Sequence, residues 1–141
     1  MELSRDLLLV NRYFRQKRQA YLEPFGLKGY HARYLVEIGA CPGISQDQLA
    51  QKLHVDKSNV TRQVAFLEEN GYLQRQPSPT DKRVLQLYAT EKAQELMLPL
   101  KEATEKWERQ LFGVLAPEEQ EAFAALLGRL RFAVESGEAE K

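Results

Sequence analysis

The feature that most constrains this chain is a pair of short helices joined by a three-residue turn near its centre. Ser45 and Asp56 are good helix N-caps, and each precedes a run in which apolar residues recur every three or four positions. Residues 54–56 separate the two runs, and Gly71 ends the second one, as glycine does at helix C-termini. This order predicts a helix-turn-helix with helices at about 45–53 and 57–70.

Two strands are predicted after the second helix, at about 72–76 and 84–89. The loop between them, Pro77–Arg83, is too long for a two-residue turn, and its two prolines indicate that it protrudes. The predicted fold class is therefore mainly α with a small β-hairpin wing (α+β), a winged helix-turn-helix.

Four further helices are predicted at about 2–22, 28–39, 90–114 and 117–135, with a bend or shift near Pro99. The terminal helices carry long apolar stripes that a small central domain could hardly cover, which favours a contact with a second chain over an intrachain core. The interface candidates are Trp107, Leu111, Phe112, Phe123, Leu127 and Leu130.

Composition narrows the class of protein. A length of 141 residues suits one domain. The single cysteine excludes an intramolecular disulfide, and the charged start is unlike a secretory signal. A cytoplasmic location without membrane insertion is therefore expected. The net charge is zero, but residues 1–33 carry +4 and residues 91–141 carry −4. Such asymmetry is typical of a protein with one DNA-facing end, although solvated surface gives it equally well.

The second helix of the pair has one apolar side and one polar side. At 100° per residue, Val60, Val64 and Leu67 share one side, and small or hydrogen-bonding residues lie opposite, where a helix in a major groove meets bases and phosphates. Arg62 suits either a bidentate contact to guanine or a phosphate contact, and the alternative for the whole side is an ordinary solvated face. Phe66 fits this scheme least and is expected to pack on the hairpin or on a neighbouring chain.

The hairpin adds basic residues at its tip and on its first strand, where they can reach the adjacent minor groove. Asp81 is expected to orient Arg83 or to close the turn. The predicted DNA-contacting residues are Ser45, Gln46, Lys57, Ser58, Asn59, Thr61, Arg62, Arg75, Asp81, Lys82 and Arg83.

Over nearly its whole length the chain resembles the multiple-antibiotic-resistance regulator (MarR) family. The most specific motif is the wing, with Asp81-Lys82-Arg83 followed by alternating apolar residues and Thr90-Glu91-Lys92; similar segments are 42–50 and 60–73. Ala89 and Ala93 depart from the family pattern, in which a larger apolar residue and a glycine are usual, so the turn into the following helix is where a difference is expected.

This resemblance implies a homodimeric transcriptional regulator, more often a repressor than an activator, that binds a palindromic double-stranded operator. It implies an intertwined helical dimerisation domain from residues 1–30 and 95–141, around a winged DNA-binding domain at 31–94. It also suggests release by a small aromatic effector. The candidate ligand residues are Arg12, Tyr13, Tyr30, His31 and Tyr34, a cluster that suits a buried core equally well.

Other function classes find less support in the residues. No nucleophile elbow, glycine-rich phosphate loop or His-Glu metal motif occurs, so no enzyme activity and no cofactor are expected. His31, His54 and Cys41 are dispersed, so no metal site is expected. The alternative that stays open is a winged-helix protein-interaction module without DNA binding, in which Arg62, Lys82 and Arg83 would be immaterial.

Overall fold

The computed structural model describes residues Met1–Lys141, which form six α-helices and one three-stranded sheet. The elements are α1 (Leu3–Leu22), α2 (Gly29–Ala40), β1 (Ile44–Ser45), α3 (Gln46–Leu53), α4 (Lys57–Glu69), β2 (Leu73–Pro77), β3 (Leu85–Ala89), α5 (Glu91–Phe112) and α6 (Pro117–Glu135). Short 3₁₀ turns lie at Glu23–Phe25 and Glu138–Glu140. The chain divides into two compact units, Met1–Thr104 and Glu105–Lys141. The predicted class, mainly α with a β-hairpin wing, is confirmed.

The helix pair forms because its caps satisfy the first backbone N–H groups of each helix. Ser45 Oγ accepts from Gln48 N at 3.1 Å, and Gln48 Oε1 accepts from Ser45 N at 3.0 Å, which is a reciprocal capping box. Asp56 Oδ1 accepts from Asn59 N at 2.7 Å and caps α4. Between the helices His54 adopts a left-handed conformation, with φ 54°, and this reversal ends α3.

The sheet has the order β1-β3-β2 with both pairs antiparallel. Strands β2 and β3 form the predicted hairpin, with Leu73 opposite Ala89 and Pro77 opposite Leu85. The third strand, β1, was not predicted, since two residues are too few to show an alternating pattern. Ile44 pairs with Leu87, and this pairing anchors the start of α3 to the hairpin.

The core of the first unit fixes which side of α4 faces solvent. Val60, Val64 and Leu67 have no exposed surface, and they are buried together with residues of α2, α3, the hairpin and α5. The fully buried large side chains are Leu22, Leu27, Ile38, Leu49, Val60, Val64, Leu67, Leu73 and Leu87. Because α4 buries this side completely, its rotation about its own axis is set by apolar packing.

The junction of α4, the hairpin and α5 is closed by side chains that bind terminal carbonyl groups. Gly71 has φ +81°, which turns the chain out of α4 into β2. Thr90 Oγ1 donates to Gly71 O at 2.6 Å, and Lys92 Nζ donates to Asn70 O at 2.7 Å. The hairpin therefore leaves α4 in one fixed direction.

The second unit contains the end of α5 and all of α6. The rings of Phe112 and Phe123 pack at 5.6 Å between centroids, but α6 has no buried residue. Its exposed large apolar side chains are Phe123, Leu126, Leu127, Leu130, Phe132 and Val134. None of the helices combines the length and apolar character that crossing a bilayer requires.

Candidate nucleic-acid interface

The side of α4 opposite the core carries the exposed polar residues Ser58 and Arg62, and the exposed Lys57 and Thr61 flank them. Ser58 Oγ donates to Asp56 Oδ1 at 2.9 Å, and Lys57 Nζ lies 3.3 Å from the exposed carboxylate of Asp47. Arg62 forms no ion pair and no hydrogen bond, so all its N–H donors are available to a ligand. These residues lie in the first half of α4, the half in which a major-groove helix contacts bases.

Two predicted residues lie at the start of α3, with Ser45 as its N-cap and Gln46 as its first residue. Ser45 is half-buried and its hydroxyl is used by the helix cap. Gln46 Oε1 lies 3.4 Å from Thr61 Oγ1, whose hydroxyl also approaches Lys57 O at 2.9 Å. The start of α3 and the start of α4 are thus held together.

Asn59 is half-buried, and it is held by α2. Tyr34 OH donates to Asn59 Oδ1, and Tyr34 itself is buried to 3% exposure. Burial raises the pKa of the Tyr34 hydroxyl, so it stays a hydrogen-bond donor. The Asn59 amide nitrogen keeps its donors uncommitted, while its oxygen fixes the direction in which the amide points.

One turn further along α4, Gln63 is held in the same way by His31. His31 Nδ1 accepts from Lys28 N at 2.8 Å, so the ring carries its proton on Nε2, which lies 3.0 Å from Gln63 Oε1 and donates to it. His31 is 2% exposed, and burial lowers its pKa, with the nearby charge of Lys28 acting in the same direction. The imidazole is therefore a neutral link between α2 and α4.

Phe66 packs on this histidine. The two rings stack with centroids 4.7 Å apart and planes 5° from parallel. This contact was not predicted, and it makes the Phe66 ring part of the α2–α4 contact within the chain. Packing of Phe66 on the hairpin or on a neighbouring chain stays a prediction.

The hairpin tip is ordered by Asp81. Its Oδ1 accepts from the Arg83 backbone N–H at 3.0 Å and from Arg83 Nε at 3.1 Å. The Arg83 side chain and its backbone N–H hold the pKa of Asp81 below the usual range. Both expected roles of Asp81, turn closure and orientation of Arg83, are therefore present. Arg83 is still 92% exposed, and Lys82 beside it is exposed too.

Arg75 is not a free cation on the first strand. Its Nη2 lies 2.7 Å and its Nε 3.1 Å from the two carboxylate oxygens of Glu68, a bidentate pair between β2 and the end of α4. The hydrogen bonds from Arg75 lower the pKa of Glu68. A guanidinium engaged in this way has fewer donors left for DNA than Arg62 or Arg83.

The structure separates the five candidate ligand residues. Arg12 and Tyr30 line a cleft of about 800 Å³ between α1 and α2. Tyr13 instead packs against Phe14, with Lys17 Nζ 5.1 Å from its ring centroid. His31 and Tyr34 are buried, as described above.

Sequence reasoning missed Gln63 and Glu68, which fix α4 to α2 and to β2. Gln63 follows Asn59 by four positions, so the two amides lie on one side of the helix. That spacing was the available signal, but nothing in the sequence showed which side chains of α2 would meet them.

A helix-turn-helix whose second helix exposes polar and basic residues, followed by a basic antiparallel hairpin, defines the winged helix-turn-helix class. The MarR family profile matches residues 31–85. The chain is 33% identical over 102 residues to the HTH-type transcriptional regulator YybA of Bacillus subtilis, spanning 72% of this chain and 68% of that protein.

Solved structures agree with this assignment. A crystal structure of MarR is 29% identical, with a TM-score of 0.82 over 95% of this chain and 98% of that one. Streptococcus pneumoniae FabT, in a crystal structure in complex with DNA, is 20% identical, with a TM-score of 0.86 over 96% of each chain, and shows the same fold. The chain belongs to the MarR family of transcriptional regulators.

Proposed function

We propose that this chain is a sequence-specific, double-stranded DNA-binding repressor that acts as a homodimer on a palindromic operator. The observation that carries the proposal is the outer side of α4, where the unpaired guanidinium of Arg62 stands among exposed small residues on a helix locked by its buried side. A helix of this kind fits a major groove, and the small side chains allow close approach to base edges. The FabT chain with the same fold is bound to DNA in its crystal structure.

The hairpin supplies the second contact. Asp81 holds the Arg83 guanidinium in one orientation at the tip, and Lys82 adds an exposed positive charge. Arginine is favoured in the minor groove because of the negative potential there. We assign Arg83 and Lys82 to the minor groove or to the phosphates that flank it.

The remaining predicted residues form two groups: those on α4 that can contact DNA, and those that are engaged in contacts within the chain. Lys57, Ser58 and Thr61 are exposed at the start of α4 and suit phosphate or base contacts. Asn59 presents its amide nitrogen beside them. Ser45, Gln46 and Arg75 are engaged within the chain, and we propose that they act mainly by positioning α4 and the hairpin.

Dimerisation and regulation belong to the same proposal. The exposed apolar face of α6 supports a homodimer, because a water-exposed stripe of this length is costly unless a second chain covers it. We also propose that a small aromatic effector binds at the cleft lined by Arg12 and Tyr30, and releases the operator.

Selection from random duplex DNA at about 150 mM salt tests the proposal, because phosphate contacts weaken as salt rises. We expect an inverted repeat with half-sites about one helical turn apart. The selection is repeated with Arg62→Ala, with Arg83→Ala and with Lys101→Ala, a matched control that removes an exposed charge from α5.

The variants should differ in a defined way. Arg83→Ala should weaken binding to all sequences and reduce the slope of log affinity against log salt by nearly one. Arg62→Ala should change the selected sequence if Arg62 reads a base, whereas an equal effect on every sequence would assign it to a phosphate. Enrichment of no sequence by the parent protein, with weak binding everywhere, would contradict the proposal and favour a protein-interaction module.

A further inference from the structure

The side-chain amide of Asn59 has one end held within the chain and the other end left for a ligand. Its oxygen accepts from the hydroxyl of Tyr34, a residue of α2 that is only 3% exposed. Its nitrogen, Nδ2, has no hydrogen-bond partner, and the chain contains no buried side-chain nitrogen or oxygen without one. The Asn59 oxygen is therefore directed inward, and the nitrogen lies at the surface.

This nitrogen lies at the edge of the outer side of α4, next to Arg62. Arg62 follows Asn59 by three positions, so the two side chains are about 60° apart around the helix and one turn apart along it. Burial raises the pKa of the Tyr34 hydroxyl, and the charges of Arg33 and Arg62 oppose that rise, so Arg62 is also near the group that holds Asn59. The exposed donors of Asn59 and Arg62 are therefore neighbours.

The orientation of the amide limits which base it can read. An asparagine whose amide is free reads adenine, because its oxygen accepts from N6 while its nitrogen donates to N7. In this chain the oxygen is directed at a buried hydroxyl, so the end that faces outward is a donor only. In the major groove, guanine offers the acceptors O6 and N7 and thymine offers O4, whereas adenine and cytosine each present an amino group. A lone donor fits a keto base and is opposed by an amino base.

We propose that Asn59 donates from Nδ2 to a keto base in each half-site of the operator, and that Tyr34 sets this preference by holding the Asn59 oxygen. Guanine is preferred to thymine because its O6 and N7 lie side by side and both accept. Tyr34 is thus a positioning residue, which determines the choice of base from α2 without a contact to DNA. The assignment rests on the proposed function, because it requires a sequence-specific complex with DNA.

The first experiment finds the operator position that Asn59 reads. Selection from random duplex DNA is carried out with the parent chain and with Asn59→Ala, since only the preference at that position should be lost. Duplexes with guanine or adenine at this position in both half-sites are then compared by fluorescence titration. We expect the parent to bind the guanine duplex more tightly by about tenfold or more, because a hydrogen bond changes in each of two half-sites.

Two variants should change this preference in different ways. Tyr34→Phe removes only the hydroxyl that holds the oxygen, so the amide can turn and pair with adenine through both of its ends, and the preference for guanine over adenine should fall to about twofold or less. Asn59→Asp replaces the exposed donor by an acceptor, so it should bind more weakly overall but prefer cytosine to guanine. The matched control is Tyr21→Phe, which removes a hydroxyl that donates to Leu96 O at 3.5 Å between α1 and α5, and it should keep the preference of the parent.

The ratio of affinities for two duplexes separates base choice from stability, because partial loss of folded protein lowers both affinities equally. A parent preference for adenine at the position of Asn59 would overturn the assignment and leave the proposed function standing. The same holds for an unchanged preference in Tyr34→Phe, for a preference for guanine in Asn59→Asp, and for an Asn59→Ala selection identical to that of the parent. Failure of the parent to select any inverted repeat would overturn the proposed function together with the assignment.

Discussion

At the scale of single residues, the buried imidazole of His31 is the side chain that holds α2 and α4 together. It accepts from the backbone at the start of α2, donates to Gln63 and stacks on Phe66, so it joins the cap of one helix to the middle of another. No other buried side chain in the chain links two helices by both hydrogen bonds and ring stacking.

Replacement of this residue should therefore be costly. We expect His31→Ala to lower the free energy of unfolding by about 2–4 kcal/mol, because it leaves a cavity and deprives the half-buried Gln63 carbonyl of its donor. Urea unfolding followed by circular dichroism measures the loss. His54→Asn is the control, since His54 is exposed and asparagine tolerates its left-handed conformation. A loss below about 1 kcal/mol would contradict the assigned role.

The same residue predicts a dependence on pH. The folded-state pKa of His31 lies below its unfolded value of about 6.5, so the unfolded chain takes up the proton first as the pH falls. The stability that depends on neutral His31 is therefore fully present above about pH 6.5 and is lost as the pH falls from there towards the folded pKa. Thermal melts from pH 8 to pH 5 should show this loss in the parent and in His54→Asn, and His31→Ala should lack that component.

At the scale of elements, the bidentate pair between Glu68 and Arg75 fixes the hairpin to the end of α4. If Arg75 acts by holding the hairpin in position, Glu68→Ala should weaken operator binding although it removes a negative charge. Arg75→Ala should weaken it by a similar factor, and the double variant should lose little more, because the two side chains act as one unit.

Fluorescence titration with operator DNA distinguishes a positioning role of Arg75 from a direct contact between Arg75 and DNA. The pair is part-buried, with 28% of the Arg75 and 35% of the Glu68 side chain exposed, so its loss should cost on the order of 1 kcal/mol and lower the melting temperature of all three variants by only a few degrees. Glu68→Gln, which keeps the size and hydrogen-bonding capacity of Glu68, is the conservative control and should bind better than Glu68→Ala. Tighter binding by Glu68→Ala than by the parent would instead make Arg75 a direct DNA contact that Glu68 competes for.

Two glycines give a prediction about the free energy of unfolding. Substitution by alanine should lower it at Gly71, in the turn from α4 into the hairpin, and raise it at Gly39, in α2. A Cβ at Gly71 would meet Lys92 Cδ at an ordinary 3.5 Å, so the strain of Gly71→Ala comes from its φ of +81° and should cost about 1–2 kcal/mol. Gly39 lies near the end of α2 with open space around it, and Gly39→Ala should stabilise by about 0.5 kcal/mol. Chemical denaturation of both variants checks the signs, and equal effects would contradict this assignment.

The elements that could be predicted from sequence are those specified by local chemistry. Ser45 with Gln48, Asp56 and Gly71 mark helix ends through contacts within a few residues, so their positions were predicted closely. Strand β1 was missed because its pairing with β3 joins residues about forty positions apart. The same holds for the candidate site: helical periodicity identified the outer side of α4, but the bonds from His31 to Gln63 and from Glu68 to Arg75 depend on tertiary packing.

At the scale of the whole molecule, the chain carries two kinds of exposed surface that a monomer leaves unexplained. Basic residues on α4 and the hairpin suit DNA, and the apolar side chains of α6 suit another protein surface. The net charge of zero results from a basic N-terminal third and an acidic C-terminal third, so total charge does not argue against a DNA-binding role.

The last prediction concerns the proposed homodimer, on which recognition of a palindrome would depend. Leu127 is 42% exposed on a helix without any buried residue, so Leu127→Glu should leave the helical circular dichroism of the chain intact. In a dimer interface the same substitution buries an unpaired carboxylate, which is costly enough to dissociate the two chains. Sedimentation at micromolar concentration should show a dimer for the parent and a monomer for the variant, while Glu121→Gln on the same helix should stay dimeric.

Dimerisation should also raise the affinity for DNA, because a dimer can contact two half-sites at once. A dimer that binds two half-sites gains effective concentration for the second contact, so the monomeric variant should lose affinity for the full inverted repeat by about a hundredfold or more. Its affinity for an isolated half-site should match that of the parent, because α4 and the hairpin are unchanged. If Leu127→Glu remained a dimer, the interface would lie elsewhere on the chain, and if it became monomeric with unchanged affinity for the full site, dimerisation would have no part in operator recognition.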